Sequence, residues 1–481
     1  MTTIVHWFRR DVRIGDNTSL AQAARDADRV VPVFILDDHY ASDPNVGSAR
    51  YRFLAESLAE VSAGLGRLGG RLLVRRGPAS RALPELLRET GAEAVYANHE
   101  IGPYPERRDR EARSAVEGVG ARFRLFADAL LVEPDAIATA SGDPLTVFTP
   151  FWKKWREAEK RLPVPEPPPL ATPELPGVPL EKVRSWRDLM PDSSVPPGGQ
   201  RRAEELLERF LATAGHEEGA NFPALAATSR LSPHLHFGTI SARTAHAAAE
   251  RAAAQSSPAA RAHLDRFVRQ LAWREFFHHV LFHFPFVAER SFRPAFDRIR
   301  WSSRPEALAA WKLGRTGFPF VDAAMRELAR THWMHNRARM VAASFLTKDL
   351  HIDWREGEKW FERELTDADL ANNNGGWQWV AGSGTDAAPY FRIFHPVLQS
   401  RKFDPQGVYI RRFVPELARV PPEKLHEPWT MTAEEQRAAG CRIGSRGDYP
   451  APLVDHARER EVALDLFHAA TRPAKPPELY Q

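Results

Sequence analysis

The chain has 481 residues, 43% of them hydrophobic and 27% charged, enough for two or more domains with large buried cores. A formal net charge of +4 favours a polyanionic partner only where Arg and Lys cluster, and the single cysteine, Cys441, excludes an internal disulfide and a Cys-rich metal site. No apolar run is long enough to cross a bilayer, the opening Met1–Arg10 holds no long apolar leader, and the 18 histidines show no metal-binding spacing, so a cytoplasmic protein with no membrane contact and no metal is expected.

Short apolar runs at Ile4–Phe8, Val30–Leu36, Arg71–Val74, Ala94–Ala97 and Phe123–Phe126 predict buried strands. Helical spacing near Asn17–Ala27, Ala49–Leu68, Ser80–Glu89 and Glu106–Glu117 fills the gaps. The alternation predicts an α/β domain with a doubly wound parallel sheet over residues 1–130. Ligands of such sheets sit beyond the carboxyl ends of the strands, which points to Arg9-Arg10-Asp11, but the loop lacks Gly-x-Gly-x-x-Gly and a Rossmann-type dinucleotide is not expected there. Residues 131–200 predict an interdomain connector, extended from Leu162 to Gly199 by prolines from Pro163 to Pro197, with Trp186 as a possible anchor.

Residues 201–481 predict an all-α domain. Apolar residues recur at helical spacing over Arg201–Thr213, Ile240–Ala254, Ala259–Phe284, Ser302–Leu313, Phe318–Thr331, Asn336–Asp349 and Trp354–Leu365. This half also holds most of the 13 tryptophans. Its densest stretch is Asp367–Trp379, Asp-Ala-Asp-Leu-Ala-Asn-Asn-Asn-Gly-Gly-Trp-Gln-Trp, a mixture that neither a plain amphipathic helix nor a solvated loop selects. On a helix Trp377 and Trp379 point to different sides, one toward a bound ring and one toward a cleft; on a strand they share a face; taken alone, the string also suits a core corner.

Thr228-Ser229-Arg230-Leu231-Ser232-Pro233 places three hydroxyls and an arginine before a helix, with Ser232 as its expected N-cap and free N–H groups suited to a phosphate. In His335-Asn336-Arg337-Ala338-Arg339-Met340, Arg339 can pair with Asp367 or Asp369, although a solvated helical face reads the same way. Arg392, Arg401, Lys402, Arg411 and Arg412, interleaved with Phe391, Phe394 and Phe403, suit a nucleic-acid backbone or simply a soluble surface.

Four strings decide among these readings: Trp333–Arg337, Ile352–Glu358, Asn373–Trp379 and Gly384–Arg392 closely resemble the photolyase/cryptochrome family, specifically its class I cyclobutane pyrimidine dimer photolyases. The resemblance covers nearly the whole chain. It implies a flavoprotein lyase that repairs damaged DNA under blue light, with FAD inside the helical domain and the pyrimidine dimer flipped into a cleft above it, as the photolyases among base-flipping enzymes do. It implies FAD contacts at Thr228, Ser229, Leu231 and Ser232 for the phosphates and at Arg339, Asp367, Asp369 and Asn373 around the flavin, with Phe267 where the family has a tryptophan. Trp377, Trp354 and Trp301 match its electron-transfer chain; Trp273 and Trp379 its lesion-flanking pair; Asn336 and Met340 the other walls; Arg337 and Arg392 the DNA phosphate contacts.

Some residues depart from the pattern. Gln270 stands where dimer photolyases usually have a glutamate, and can donate an N–H bond but not a proton. Glutamine here also resembles (6-4) photolyases, but those need a histidine pair where this chain has Asn336 and Met340. His216 replaces a tyrosine at the cofactor, and Ala220 an arginine at the DNA. The string His99–Asp109 looks more like deazaflavin-binding than folate-binding members, so 8-hydroxydeazaflavin is favoured over methenyltetrahydrofolate as antenna, with Arg50 and Arg52 in reach of an acidic tail. The rival from another class is a cryptochrome-like signalling receptor, whose members often carry a long tail beyond the point corresponding to Tyr449. A monomer is expected.

Overall fold

In a computed structural model of the chain, residues 1–37, 47–180, 195–214, 217–225, 227–444 and 446–472 are described; Trp186 and His216 lie outside them. Five strands, β1 (Thr3–Phe8), β2 (Arg29–Leu36), β3 (Leu73–Arg76), β4 (Ala94–Asn98) and β5 (Arg122–Phe126), form one sheet in the order β3-β2-β1-β4-β5, with every pairing parallel. Strand alternation explains why the runs are continuously apolar: Ile4 and Phe8 enter the core on one face, Val5 and Trp7 the core on the other. The third strand lies two residues later than the apolar run predicts, because pairing sets its start at Val33↔Leu73.

The crossover helices are Thr18–Asp26, Ser48–Arg67, Ala79–Thr90 and Pro103–Glu117. Asn17 caps the first, its side chain accepting from the Leu20 N–H at 3.2 Å. The chain then leaves the sheet through helix Phe148–Glu157, whose Phe148, Phe151 and Trp155 pack into the core of the helical half. Beyond it the proline-rich stretch runs along the α/β domain, with Ala171 O accepting from Val30 N–H at 3.0 Å and Val178 N–H donating to Val74 O at 2.9 Å.

In the second half, helices occupy Gln200–Ala212, Ala242–Ala254, Pro258–His283, Pro305–Lys312, Pro319–Thr331, Asn336–Ser344 and Trp354–Glu364. The segment predicted as one helix to Asp349 ends its α-helical part at Ser344 and widens into a π turn over Phe345–Asp349. The choice between helix and strand at the Asn-rich string is settled: Leu370–Ala381 is a helix, capped by Asp369 and closed by Gly382 in the left-handed region at φ +84°. A short helix, Ser232–Phe237, precedes Ala242–Ala254, and helices Pro396–Phe403, Val408–Phe413, Pro422–Leu425, Ala433–Ala439 and His456–Thr471 follow.

The two halves meet through the loop after β1. Val12 N–H donates to Phe237 O at 3.1 Å and Arg13 Nη1 to Gly238 O at 3.1 Å. Gly238 sits at φ +67°, and a Cβ there would fall 2.1 Å from Arg10 O, so only glycine permits the approach. Alongside, buried Arg243 donates to Asp16 Oδ1 at 3.0 Å and Asp128 Oδ1 at 2.7 Å, while Arg13 reaches Asp128 Oδ2 at 2.5 Å. The crevice at the carboxyl ends of β1 and β4, where a ligand of the sheet was expected, is instead filled by ion pairs. Arg9 binds Asp109 at 2.6 Å, and Arg10 and Arg108 bind Glu100 at 2.7 and 2.5 Å, leaving a cavity of about 40 Å³.

Candidate active site

Three helices of the second half, Pro258–His283, Asn336–Ser344 and Leu370–Ala381, frame the site. The first contributes Gln270, Trp273, Arg274 and Phe277 at helical spacing, the third Asn372, Asn373, Gly376, Trp377, Trp379 and Val380, and between them lies a cavity of about 330 Å³ whose wall also includes Asn336 and Met340. A second cavity of about 410 Å³ is lined by Thr228, Ser229, Leu231, Ser232, Phe267, Trp333 and Asp369. Gln270, Arg274, Asn336, Arg339, Asp367 and Asn372 line both, so the two are one bent recess. Together they reach the size of a binding site for a large cofactor.

The recess has a polar floor. Arg339 donates through Nη2 to both oxygens of Asp367, at 2.7 and 3.0 Å, and through Nε to Met334 O at 2.8 Å, which fixes the guanidinium at the junction of the cavities. Asp369 accepts the Asn372 N–H at 3.1 Å and Asn372 Nδ2 at 2.7 Å. Burial alone would raise its carboxyl; His278, His236 and Arg10 outweigh it and hold Asp369 well below the usual carboxylate range. Asn373 donates Nδ2 to Glu358 O at 3.0 Å, so its Oδ1 remains as an acceptor for a group in the cavity. Next to it, Asn374 Nδ2 donates to Glu358 Oε1 at 2.9 Å; burial pushes the Glu358 carboxyl up to about 8, with Asn374 and nearby cations opposing.

Trp377 is buried, its indole N–H without a partner among the described residues, edge-on to Phe361 at 5.0 Å and to Trp311 at 6.2 Å. Trp379, two residues on, lines the same cavity but is partly exposed. Trp273 stacks on Phe148 with centroids 3.6 Å apart, which holds its ring at the rim. Trp354 and Trp301 do not line the recess: Trp354 is buried in the core that also holds Trp377, and Trp301 lies half-buried at the edge of that core, 6.1 Å from Phe467. Arg337 and Arg392 also lie outside it. Arg337 Nη2 donates to Asn221 Oδ1 at 3.0 Å and its guanidinium lies 4.2 Å over Phe403; burial, and after it the charge of Arg392, lower its pKa.

Ser232 corrects one expectation. It is the first helical residue rather than the cap, the cap position falls to Leu231, and the Ser232 hydroxyl accepts from Trp333 Nε1 at 3.2 Å. Before it, Arg230 is held in the left-handed region at φ +53° with its guanidinium 4.6 Å over Trp333. His335 is the cap of its own helix: Nδ1 accepts from Arg337 N–H at 3.1 Å, Nε2 donates to Ala220 O at 3.1 Å, and burial lowers its pKa to about 4. Sequence reasoning missed Arg274, Asn372, Trp333 and His236 as lining residues. The first two were within reach of it: Arg274 stands four residues after Gln270, and Asn372 three after Asp369, spacings that put them on the same helical faces.

Residues 4–171 match the family model described as DNA photolyase, and residues 267–469 the one described as FAD binding domain of DNA photolyase. A deoxyribodipyrimidine photo-lyase of Agrobacterium fabrum is 40% identical, with 98% of each chain covered. This chain belongs to the photolyase/cryptochrome family. Among solved members, a bacterial class III photolyase from Agrobacterium tumefaciens has a TM-score of 0.91 at 39% identity, covering 98% of both chains. A Synechocystis cryptochrome has 0.88 at 28%, covering 97% of this chain and 99% of the other.

The matched FAD-binding region, 267–469, supplies the aromatic and amide walls of the recess, while Thr228–Ser232 lies before it in sequence and closes the other end. FAD fits this donor set. A flat ring system finds Trp377, Phe361 and the Asn373 acceptor at one end, and a polyanionic linker finds hydroxyls, Arg230 and Arg339 at the other.

Proposed function

We propose that this protein repairs cyclobutane pyrimidine dimers in DNA in a light-dependent reaction, as a flavin-dependent carbon–carbon lyase. The observation that carries the reading is the bent recess, which joins a cofactor-sized chamber to a cleft with an indole on either side, Trp273 and Trp379. When bound, FAD in its reduced form supplies one light-driven electron that weakens both bridging bonds of the dimer, and the electron returns, so the reaction has no net redox change.

The chain's own residues bind, orient and polarise. Thr228, Ser229, Leu231 and Ser232 hold the cofactor phosphates; Arg339, Asp367, Asp369 and Phe267 hold the rest of its body. Asn373 presents a carbonyl oxygen, and turning its amide would break the 3.0 Å bond to Glu358 O, so this wall favours a hydrogen-bond donor on the ring. Trp273 and Trp379 replace the base stacking that the flipped dimer loses, Asn336 and Met340 close its sides, and Gln270 donates an N–H bond to a pyrimidine carbonyl. Arg337 and Arg392 take the phosphates flanking the lesion. Trp377, Trp354 and Trp301 carry electrons inward from the half-buried edge at Trp301.

The test is direct. Reduced protein is mixed with a thymine-dimer oligonucleotide and exposed to blue light while thymine absorbance is followed; recovery is expected, and none in a flavin-loaded sample rejects repair. In the same assay Trp379→Ala should lose lesion affinity by roughly ten- to a hundredfold while keeping its FAD, as expected for a lost stacking face. Trp377→Phe should slow photoreduction and leave repair by pre-reduced enzyme largely intact. Equal repair loss in both removes the division of roles.

A cryptochrome-like receptor is the second reading, favoured by the 0.88 TM-score to the Synechocystis protein. A (6-4) photolyase is disfavoured by Asn336 and Met340 in place of a histidine pair. The class I subtype belongs to this proposal through the motif strings, and the likeness to a class III photolyase is its competitor. As antenna, 8-hydroxydeazaflavin is the choice that the string His99–Asp109 supports, to be checked by extracting and identifying the bound chromophore. Among the described residues no helix is long and apolar enough to cross a membrane. A cytoplasmic monomer completes the reading, and light scattering should return the chain mass of 54.2 kDa.

A further inference from the structure

Arg10 belongs to the α/β domain, at the end of the strand that heads its sheet, yet its side chain works on the other half of the molecule. Its Nε donates to Glu100 Oε1 at 2.7 Å, and its Nη1 reaches across the domain boundary to Asp369 Oδ2 at 3.2 Å. Asp369 caps the helix that carries Asn372, Asn373, Trp377 and Trp379 into the recess. The two oxygens of that carboxylate divide their tasks: Oδ1 takes the Asn372 N–H and side-chain amide, and Oδ2 faces Arg10, with His278 Nε2 at 3.5 Å and His236 Nδ1 at 3.9 Å. Asp369 also lines both the crevice between the domains and the larger chamber of the recess, and with Leu235, His236 and Arg274 it forms the wall between them.

We propose that Arg10 is a positioning residue for the cofactor site: by holding Asp369 from behind, it sets the rotation of the helix N-terminus that aims Asn372 and Asn373 into the recess. The inference deepens the flavin reading above and rests on it. Without the guanidinium, Oδ2 keeps only the two histidines. His278 already has Nδ1 at 2.9 Å from Arg274 O, which takes its ring proton there, so its Nε2 attracts the carboxylate only when the imidazole carries a second proton. Arg10 is the one permanently charged contact of Oδ2 among the described residues. Its own geometry is fixed on two sides, by Glu100 and by the loop that Gly238 lets approach. The α/β domain is therefore part of the cofactor site rather than only a platform for a second chromophore.

The test measures FAD affinity by titrating full-length apoprotein and following quenching of flavin fluorescence. Arg10→Gln should weaken binding about tenfold or more, the size expected for a lost charge-assisted hydrogen bond, and Arg10→Lys should recover most of it. Asp109→Asn breaks ion pairs of the same cluster at Arg9 and Arg108 without touching Asp369, and should leave the affinity within about twofold. In an Asp369→Asn background, Arg10→Gln should have no further effect. A wild-type affinity in Arg10→Gln, an equal loss in Asp109→Asn, or undiminished loss in the Asp369→Asn background overturns the inference. If the wild-type protein itself takes up no FAD, it is the reading of the site that fails.

Discussion

Glu358 stands behind the wall of the recess, buried, with its backbone oxygen holding Asn373 and its carboxyl holding Asn374. Among the described residues no cation forms an ion pair with that carboxyl, and burial pushes it up to about 8 from 4.5, so it is protonated at neutral pH. The sign follows: a raised group contributes stability that is complete below pH 4.5 and lost as pH rises through about 8. Glu358→Gln, which keeps an oxygen for Asn374, should flatten stability between pH 5 and 8 and gain roughly 3 kcal/mol on the parent across that span, measured by urea unfolding at each pH. A parallel pH dependence in both proteins would show that the carboxyl is ionised at neutral pH.

At the scale of elements, the wall of the recess depends on how closely helix Leu370–Ala381 packs on the helix behind it. Gly357 permits that packing. A Cβ there would fall 2.1 Å from Trp377 Cη2 and 2.6 Å from Leu346 Cδ2, so glycine is what lets helices Trp354–Glu364 and Leu370–Ala381 pack with the indole between them. Gly357→Ala should destabilise by about 1–3 kcal/mol as an overpacked core does, and should shift the tryptophan emission because Trp377 must move. Helical spacing was readable at this scale wherever a helix has one apolar face, as over Pro319–Thr331. It was not readable at Leu370–Ala381, whose apolar, amide and indole residues are spread around the axis to serve a core, a cavity and a cap at once. Nor could it show the π turn at Phe345–Asp349, where buried Lys348 donates Nζ to Ala381 O at 2.8 Å, a contact made by a distant helix.

At the scale of the whole molecule, the halves are joined by buried charge. Removing Arg243 leaves Asp16 and Asp128 without their shared cation, so Arg243→Ala should cost about 3–5 kcal/mol and split thermal unfolding into two calorimetric transitions. The same cluster sets the acid limit. Burial would raise the Asp128 carboxyl, but Arg13 and Arg243 hold it well below its usual 3.8. A depressed group contributes stability that is present above pH 3.8 and lost as pH falls below it, so the halves should separate on acidification in that range, visible as expansion in small-angle scattering. Arg243→Ala should keep only the part of that dependence that Arg13 supports.

Local pattern by itself determined the two-part architecture, the five strands and the helices of the second half up to Trp354–Glu364, because periodicity of two and of 3.6 is a property of neighbours in sequence. Residue strings were enough to identify the family and to collect Thr228, Gln270, Asn336, Arg339, Asp367 and Asn373, which the fold gathers onto one recess. Only tertiary structure decided that the sheet's usual ligand crevice is filled with ion pairs, that Ser232 serves Trp333 instead of capping its helix, and that Arg10 reaches Asp369. The Arg10–Glu100, Arg10–Asp369 and Ser232–Trp333 contacts join residues about 90 to 360 positions apart, and a hydrogen bond or ion pair at that separation leaves no period for a single sequence to display.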